Sequence, residues 1–180
     1  MNGEEILEEN PVYSSSTIDF VRIATEYCKQ LEQLEDTSQE AFADVMLRLL
    51  PMVYFKAMVL PEVTEVMGYN EPAVTEEDYN FIRNNIARVM GSNDDFLDTF
   101  VEDFKFSEQP VLQTISENLA DIYQCLRDFV ETFRSEMEES MHIALFDTRE
   151  QFFLSWGQKL LNALRALHDV RYGNLKQSYQ

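Results

Sequence analysis

The chain has 180 residues, of which 45% are hydrophobic and 12% aromatic, and this apolar content excludes a disordered chain. Only 5 glycines and 5 prolines are present, which is a poor supply for the many turns of a β-sandwich and favours helices. The net charge of −19 disfavours binding to nucleic acid and to anionic membrane surfaces. The charge is uneven, because residues 151–180 carry four basic residues and one acidic residue.

The first part of the chain predicts two helices after a loose acidic lead-in over residues 1–15. The first helix is expected after Ser16, where Ser16-x-x-Asp19 resembles a capping box. The second opens with Thr37-x-x-Glu40, and Pro51 either kinks it or starts a new helix that Pro61 stops. Because this second element is apolar almost all round, we expect it in the centre of the fold.

The middle of the chain predicts two shorter helices. Residues 61–74 form a polar loop, and Thr75-x-x-Asp78 then caps a helix for which Gly91 is a natural end. Residues 93–104 predict another short helix with its aromatic and aliphatic side chains on one face, and residues 104–110 a connection packed by aromatics.

The longest periodic signal lies in the last third. Apolar residues recur every three or four positions from Val111 to Met137, and a second run extends from Met141 to Leu167. Two antiparallel helices are expected here rather than one very long helix. Ser135-x-x-Glu138 supplies a capping box between the two runs, so we place the turn near residues 133–138.

The elements together predict an all-α fold, a single-domain helical bundle of about six or seven helices. The two long C-terminal helices form an antiparallel hairpin in this bundle. The expected organisation is a loose acidic N-terminal segment over residues 1–15, the bundle over residues 16–172 and a polar tail over residues 173–180. No strand-like alternation interrupts the pattern.

The cysteines and the apolar segments indicate a cytoplasmic protein. Cys28 and Cys125 lie far apart, each among apolar neighbours in a helical pattern, as buried thiols in a reducing compartment do. Residues 1–10 lack the basic and apolar regions of a signal peptide. The most apolar stretch, residues 47–60, is too short to cross a bilayer.

Metal chemistry has little support in the sequence, so neither a metal nor a cofactor is expected. Glu139-x-x-His142 is the one metal-like spacing, whereas a carboxylate-bridged di-iron site needs two such pairs. The other histidine, His168, has Arg165 three residues before it. The pairs Glu5-x-x-Glu8 and Glu32-x-x-Glu35 arise easily among 33 carboxylates. The acidic residues of the long helix are expected on its solvated face; they are Glu117, Asp121, Asp128, Glu131 and Glu138.

Trp156-Gly157 stands out within the second apolar run. Glycine inside a helix costs about 1 kcal/mol relative to alanine, so it usually has a packing or binding reason. Gly157 either lets another helix approach Trp156 closely, or belongs to a pocket floored by the indole, with Arg165 or Tyr123 nearby. No Gly-x-Ser-x-Gly, glycine-rich phosphate loop or cysteine in a polar setting is present, so no catalytic residue is expected.

Two C-terminal segments resemble a known bacterial family. They are SENLADIYQCLRDF at residues 116–129 and WGQKLLNALRALH at residues 156–168. The family is catalogued as domain of unknown function 5063, is common in Bacteroidota, and resembles this chain over roughly residues 18–168. The resemblance implies a small helical cytosolic protein and brings no activity, cofactor or catalytic residue. It directs attention to Leu119, Ala120, Asp121, Tyr123, Asp128, Trp156, Gly157, Arg165 and His168.

Two functions remain open from the sequence. The leading hypothesis is a non-enzymatic module that binds an unknown protein partner or associates with itself, because exposed charge and many aromatics occur without a catalytic constellation. The alternative is a small-molecule-binding or metal-dependent hydrolytic bundle with a pocket near Trp156. The candidate pocket or interface residues are Asp121, Tyr123, Asp128, Trp156, Gly157, Arg165 and His168.

Overall fold

The computed structural model describes residues 10–64, 66–98 and 111–177, and the side chains of these residues as far as Gly173. Most of the predicted lead-in, with Glu5-x-x-Glu8, lies outside the described residues, as do the aromatic connection over residues 104–110 and the end of the polar tail. The described chain is all-α apart from two short strands. Its helices are α1 Ser15–Glu32, α2 Gln39–Met58, α3 Glu76–Met90, α4 Ile115–Arg134, α5 Glu138–Gln151 and α6 Gly157–Gln177.

Helix α4 lies at the centre of the bundle and packs against α1, α3, α5 and α6. Its strongly amphipathic sequence buries half of its residues, including Leu119, Ile122 and Leu126. The Tyr27 hydroxyl of α1 donates a 2.8 Å hydrogen bond to the Leu119 carbonyl oxygen, so the phenol is buried with its polar atom satisfied. The core therefore forms around α4.

Helix α2 was expected in the centre, and the structure corrects this. The helix continues through Pro51 to Met58, so the proline does not break it. One side of α2 packs on α1, α3 and α6, whereas Met52, Phe55 and Met58 on the other side are each more than half exposed. Its apolar surface exceeds what its neighbours in the described chain can cover.

The helix starts differ from the predicted capping boxes at three of four positions. Thr75 and Asp78 form the predicted reciprocal box at the start of α3. In α1 and α2 the caps are Ser14 and Ser38, because these side chains accept from the backbone N–H groups of Thr17 and Ala41. The Ser135-x-x-Glu138 box is absent, since α5 begins after Met137 without a side-chain cap.

Residues 95–98 form a strand rather than the predicted helix. Strand β1 (Asp95–Asp98) pairs antiparallel with β2 (Val111–Thr114), with Asp95 opposite Thr114, so α4 begins at Ile115 and not at Val111. The buried Asp94 carboxylate accepts hydrogen bonds from the Ser116 backbone N–H (2.8 Å) and hydroxyl (2.6 Å). These long-range bonds hold the chain extended where the local sequence alone favours a helix.

The predicted C-terminal hairpin is confirmed. The chain turns at residues 135–137, where Glu136 has a positive φ, and α5 and α6 both pack back against α4. Between α5 and α6 lies a five-residue π turn, Phe152–Trp156, so Glu138–Gln177 is one continuous helical path. In the described part of the chain, no helix is long and apolar enough to cross a membrane.

Candidate functional site

Arg165 and His168 line a cleft between α2 and α6. The two helices run antiparallel, because Arg171 Nε donates to Asp44 Oδ1 (2.8 Å) at one end and the Tyr54 and Phe152 rings contact (5.0 Å) at the other. The space between them, here called the α2–α6 cleft, has a volume of about 570 Å³ and is lined by Asp44, Leu47, Arg48, Leu161, Leu164, Arg165, His168 and Tyr172.

The α2–α6 cleft carries positive charge over an apolar floor. Its carboxylate, Asp44, is held by Arg171, and this hydrogen bond raises the pKa of the guanidinium. Arg48 and Arg165 are exposed, and neither has a carboxylate within 4.0 Å among the described side chains. The floor consists of leucines from both helices. The cleft can therefore accept a ligand that is both acidic and apolar.

Exposed apolar side chains continue from this cleft towards the π turn. On α2 they are Phe55 and Met58, and on the π turn they are Phe153 and Leu154, whereas Met52 lines a groove beside α1. The Tyr54–Phe152 ring contact brings these two groups to the same end of the helix pair. Together with the α2–α6 cleft they form a surface here called the α2–α6 face. Large exposed apolar side chains grouped at one end of a helix pair are typical of an interaction site.

Trp156 lies in the core and not on the floor of a cleft. It is 1% exposed, its ring stacks against Phe20, and its indole N–H donates to the Thr148 carbonyl oxygen (3.1 Å). Gly157 is crowded by the preceding turn of its own helical path and not by another helix. A Cβ at this position would lie 2.6 Å from the Phe152 carbonyl oxygen. Trp156 is buried and does not line the cleft that Arg165 lines.

Asp121 joins three helices. Its carboxylate accepts from the Tyr79 hydroxyl of α3 (2.7 Å) and forms an ion pair with Lys159 of α6. The carboxylate was expected on a solvated face, but α3 and α6 cover it to about two thirds. Burial, followed by the hydrogen bond to Asp121, raises the pKa of Tyr79. Asp121 thus has a structural role that accounts for both carboxylate oxygens.

Tyr123 points towards α1 and away from Arg165. Its hydroxyl donates to Glu32 Oε1 (2.8 Å), and burial and this carboxylate raise the pKa of the phenol. Arg127 bridges Glu32 and Glu131 at 3.4 and 2.9 Å, so the charges around Tyr123 are largely paired. The groove here, about 580 Å³ between α3 and α4, therefore offers a ligand little free charge.

Asp128 holds the loop that precedes α3. Its Oδ1 accepts from the backbone N–H groups of Ala73 (2.7 Å) and Val74 (2.8 Å). Burial raises the pKa of the Asp128 carboxyl despite these two bonds. The residue was expected on a solvated face, but it lines a small cavity of about 160 Å³ with Asp147 and Cys125. Burial raises the pKa of that thiol to about 11, so it is an unreactive cysteine.

In the Glu139-x-x-His142 pair, the histidine contacts the backbone of its own helix. His142 Nδ1 lies 2.9 Å from the Glu138 carbonyl oxygen, which is a contact within α5. Among the described residues, no three His, Cys, Asp or Glu side chains form a group that could hold a metal ion. Cys28 is buried, and burial raises the pKa of its thiol to about 12.

The sequence interpretation missed the α2 side of the cleft. Arg48, Met52 and Phe55 recur at helical spacing, i, i+4 and i+7, inside an element regarded as apolar all round. An arginine in line with two large apolar residues was the available signal for an exposed face. The partner helix across the cleft was not available from the sequence.

The comparisons place this helical bundle in a family. The model of the domain of unknown function DUF5063 matches residues 11–173, and the chain belongs to this family. A similar solved structure is the crystal structure of protein BF1032 from Bacteroides fragilis, a structural genomics target. It is 38% identical, the match covers 90% of this chain and 96% of that chain, and the TM-score is 0.79. No curated protein matches.

Proposed function

We propose that this chain is a non-enzymatic, cytoplasmic protein-interaction module that binds an acidic, apolar segment of its partner on the α2–α6 face. The observation that carries the proposal is the pair Arg48 and Arg165, which lie at an apolar cleft without carboxylate partners among the described side chains. In a chain of net charge −19, two such cations on one face are a local exception.

The apolar side chains supply the affinity in this proposal, and the arginines supply selectivity. Phe55 and Leu154 are 59% and 72% exposed, so a partner that covers them removes apolar surface from water. Complementary charge raises the association rate and rejects basic partners more than it adds affinity. Nucleic acid and anionic membranes are poor partners, because the remaining surface repels phosphates.

A photo-crosslinking amino acid at position 161 tests the proposed surface in cells of the native host. We expect crosslinks to a protein partner from this position, and their loss in the R48E/R165E double variant. The same amino acid at the exposed Phe81 of α3 is the matched control. Absence of crosslinks from position 161, or crosslinks that persist after charge reversal, argues against the proposal.

Binding of a small organic anion in the same cleft is the second candidate. Its volume of about 570 Å³ lies within the usual range for ligand pockets, roughly 300–1,000 Å³. A bound ligand raises the melting temperature by mass action. A thermal-shift screen with inorganic phosphate, nucleotides and divalent metals therefore separates the candidates. A rise that R165E abolishes favours the small anion over the protein segment.

A further inference from the structure

The chain itself contains a segment with the chemistry that the α2–α6 cleft fits. Residues 1–9 read MNGEEILEE, so four glutamates flank Ile6 and Leu7. The cleft places Arg48, Arg165 and His168 around leucines, which is the complementary arrangement. An apolar pair in the cleft with carboxylates beside the arginines satisfies both surfaces at once.

The surroundings of Asn10 have the wrong charge for this segment. Asn10 Nδ2 and the Tyr13 hydroxyl both donate to the Glu138 carboxylate, at 2.8 and 3.3 Å. Glu136 and Glu139 flank Glu138 in the sequence. Because like charges repel, contact with these three glutamates offers no stabilisation to an acidic segment. The segment gains from contact with a basic surface elsewhere.

The cleft of the same chain is out of reach. Leu7 lies three residues before Asn10, which spans at most about 11 Å of extended chain. Asn10 contacts Glu138, and Leu161 lies 23 residues further along the helical path, about 35 Å at 1.5 Å per residue. The segment and the cleft can therefore meet only between two molecules.

We infer that residues 1–9 of a second copy of this chain occupy the α2–α6 cleft, so that the protein associates head to tail. This inference rests on the proposed function and names the partner. The contact joins two different surfaces, so it is heterologous, and successive copies add to a ring or an open chain. Each added molecule presents a new free cleft and a new free segment.

Another groove lies closer to Asn10 and is the main rival position. It measures about 390 Å³ and includes Tyr13, Ile18 and Phe133. Its two arginines are already engaged, since Arg22 pairs with Asp19 (3.5 Å) and Arg134 with Glu131 (2.7 Å). The α2–α6 cleft is the better match because its arginines have no such partners among the described side chains.

A charge-swap experiment tests the inference by sedimentation velocity over a concentration series of the full chain. We expect the unmodified protein to associate, and R48E/R165E and E5K/E8K each to weaken association by at least about tenfold when alone. An equimolar mixture of the two variants should restore association, because the cleft with Arg48 and Arg165 then meets the unmodified acidic segment, and the reversed cleft meets the lysines at positions 5 and 8. The E35K/E71K variant changes the net charge by the same amount as E5K/E8K, but at other exposed glutamates, and should associate normally.

Each outcome decides the inference, provided that circular dichroism and melting temperature show all variants folded. A monomer at every concentration overturns it but leaves the proposed function, which the crosslinker at position 161 tests separately. Association that is lost in E5K/E8K but kept in R48E/R165E overturns it in favour of the groove beside Tyr13. Failure of the mixture to associate also overturns it.

Discussion

Gly157 occupies a position from which a side chain is excluded by backbone. Its N–H donates to the Phe152 carbonyl oxygen across the π turn, and a Cβ would approach that oxygen to 2.6 Å and the Phe152 ring to 2.9 Å. A flexible side chain could yield to such a contact, but a carbonyl oxygen fixed by a hydrogen bond yields much less.

Replacement of Gly157 by alanine should therefore destabilise the protein. We expect G157A to lower the free energy of unfolding by about 1–3 kcal/mol, measured by urea denaturation. Gly173 in α6 is the matched control, since a Cβ there meets nothing within 4 Å. G173A should raise stability by about 0.5–1 kcal/mol. Equal effects of the two substitutions would contradict the packing argument.

Asp128 is constrained by hydrogen bonding, because the backbone N–H groups of two residues both donate to one of its carboxylate oxygens. We expect D128A to cost about 1–3 kcal/mol, since it leaves Ala73 and Val74 without their acceptor. D128N keeps an acceptor oxygen at this site and should cost less. Urea denaturation of both variants at neutral pH measures the difference, and equal losses would show that the acceptor is unimportant.

The raised pKa of Asp128 gives this comparison a pH dependence. The folded state binds the proton more tightly than the unfolded state, whose ordinary pKa is 3.8. Wild-type stability relative to D128N should therefore rise as the pH falls through the range just above 3.8, and fall as the pH rises through it. Denaturation of both proteins across this range measures the effect, and a trend of opposite sign would contradict the burial argument.

The π turn corrects the phase of the long C-terminal helical path. At 100° per residue, an uninterrupted α-helix would place Phe152 about 20° from Met141, but Leu160 and Leu167 about 80–100° away. All four side chains are buried. A π turn takes up one residue more than an α turn and so reduces the accumulated rotation. It keeps the α6 side chains directed at the core.

Removal of the extra residue should make Gly157 dispensable. Deletion of the exposed Leu154 converts the Gly157 N–H to Phe152 O bond into an ordinary α-helical bond. We expect this variant to fold, and G157A to be neutral or stabilising in its background. A double-mutant cycle by urea denaturation measures the coupling. An unchanged cost of G157A after the deletion would contradict the phase argument.

Long periodic elements could be predicted from the sequence, whereas elements fixed by distant contacts could not. The pattern from residue 115 onwards covers many turns, so the hairpin and its turn at residues 135–137 were within reach. Residues 95–98 were predicted to be helical because the apolar pattern of so short a segment fits the period of an α-helix as well as that of a strand. Their strand depends on Asp94 binding Ser116, 22 residues away, a contact that no local pattern encodes.

Only part of the candidate site could likewise be predicted from the sequence. Arg165 and His168 could be selected from the last helix, and they do share a cleft. Arg48 could not be paired with them, because the antiparallel contact of α2 with α6 depends on interactions such as Asp44 with Arg171, 127 residues apart. For Trp156 the sequence left both close packing and a pocket open, since aromatic residues suit both cores and clefts, and the packing of the folded chain places it in the core.

At the scale of the whole molecule, 33 acidic against 14 basic residues work against compactness. Added salt screens this self-repulsion, with a Debye length of about 10 Å at 0.1 M. We expect the melting temperature to rise by roughly a few degrees between low and moderate sodium chloride, measured by calorimetry. R48E/R165E lowers the net charge by four and should steepen the rise. A melting temperature that falls with salt would show that ion pairs outweigh repulsion.

The central position of α4 has a consequence for synthesis of the chain. The Tyr27 hydroxyl has its hydrogen-bond acceptor, the Leu119 carbonyl oxygen, only after 92 further residues have been synthesised. Helices α1 and α3 both pack on α4, which leaves the ribosome after them. Nascent chains that end before α4 should therefore be protease-sensitive, and those that include it should become resistant. Resistance of a stalled chain ending at residue 98 would refute this order of folding. Until α4 emerges, Phe20 lacks the Phe129 ring that it contacts in the folded protein, and it stays available to chaperones.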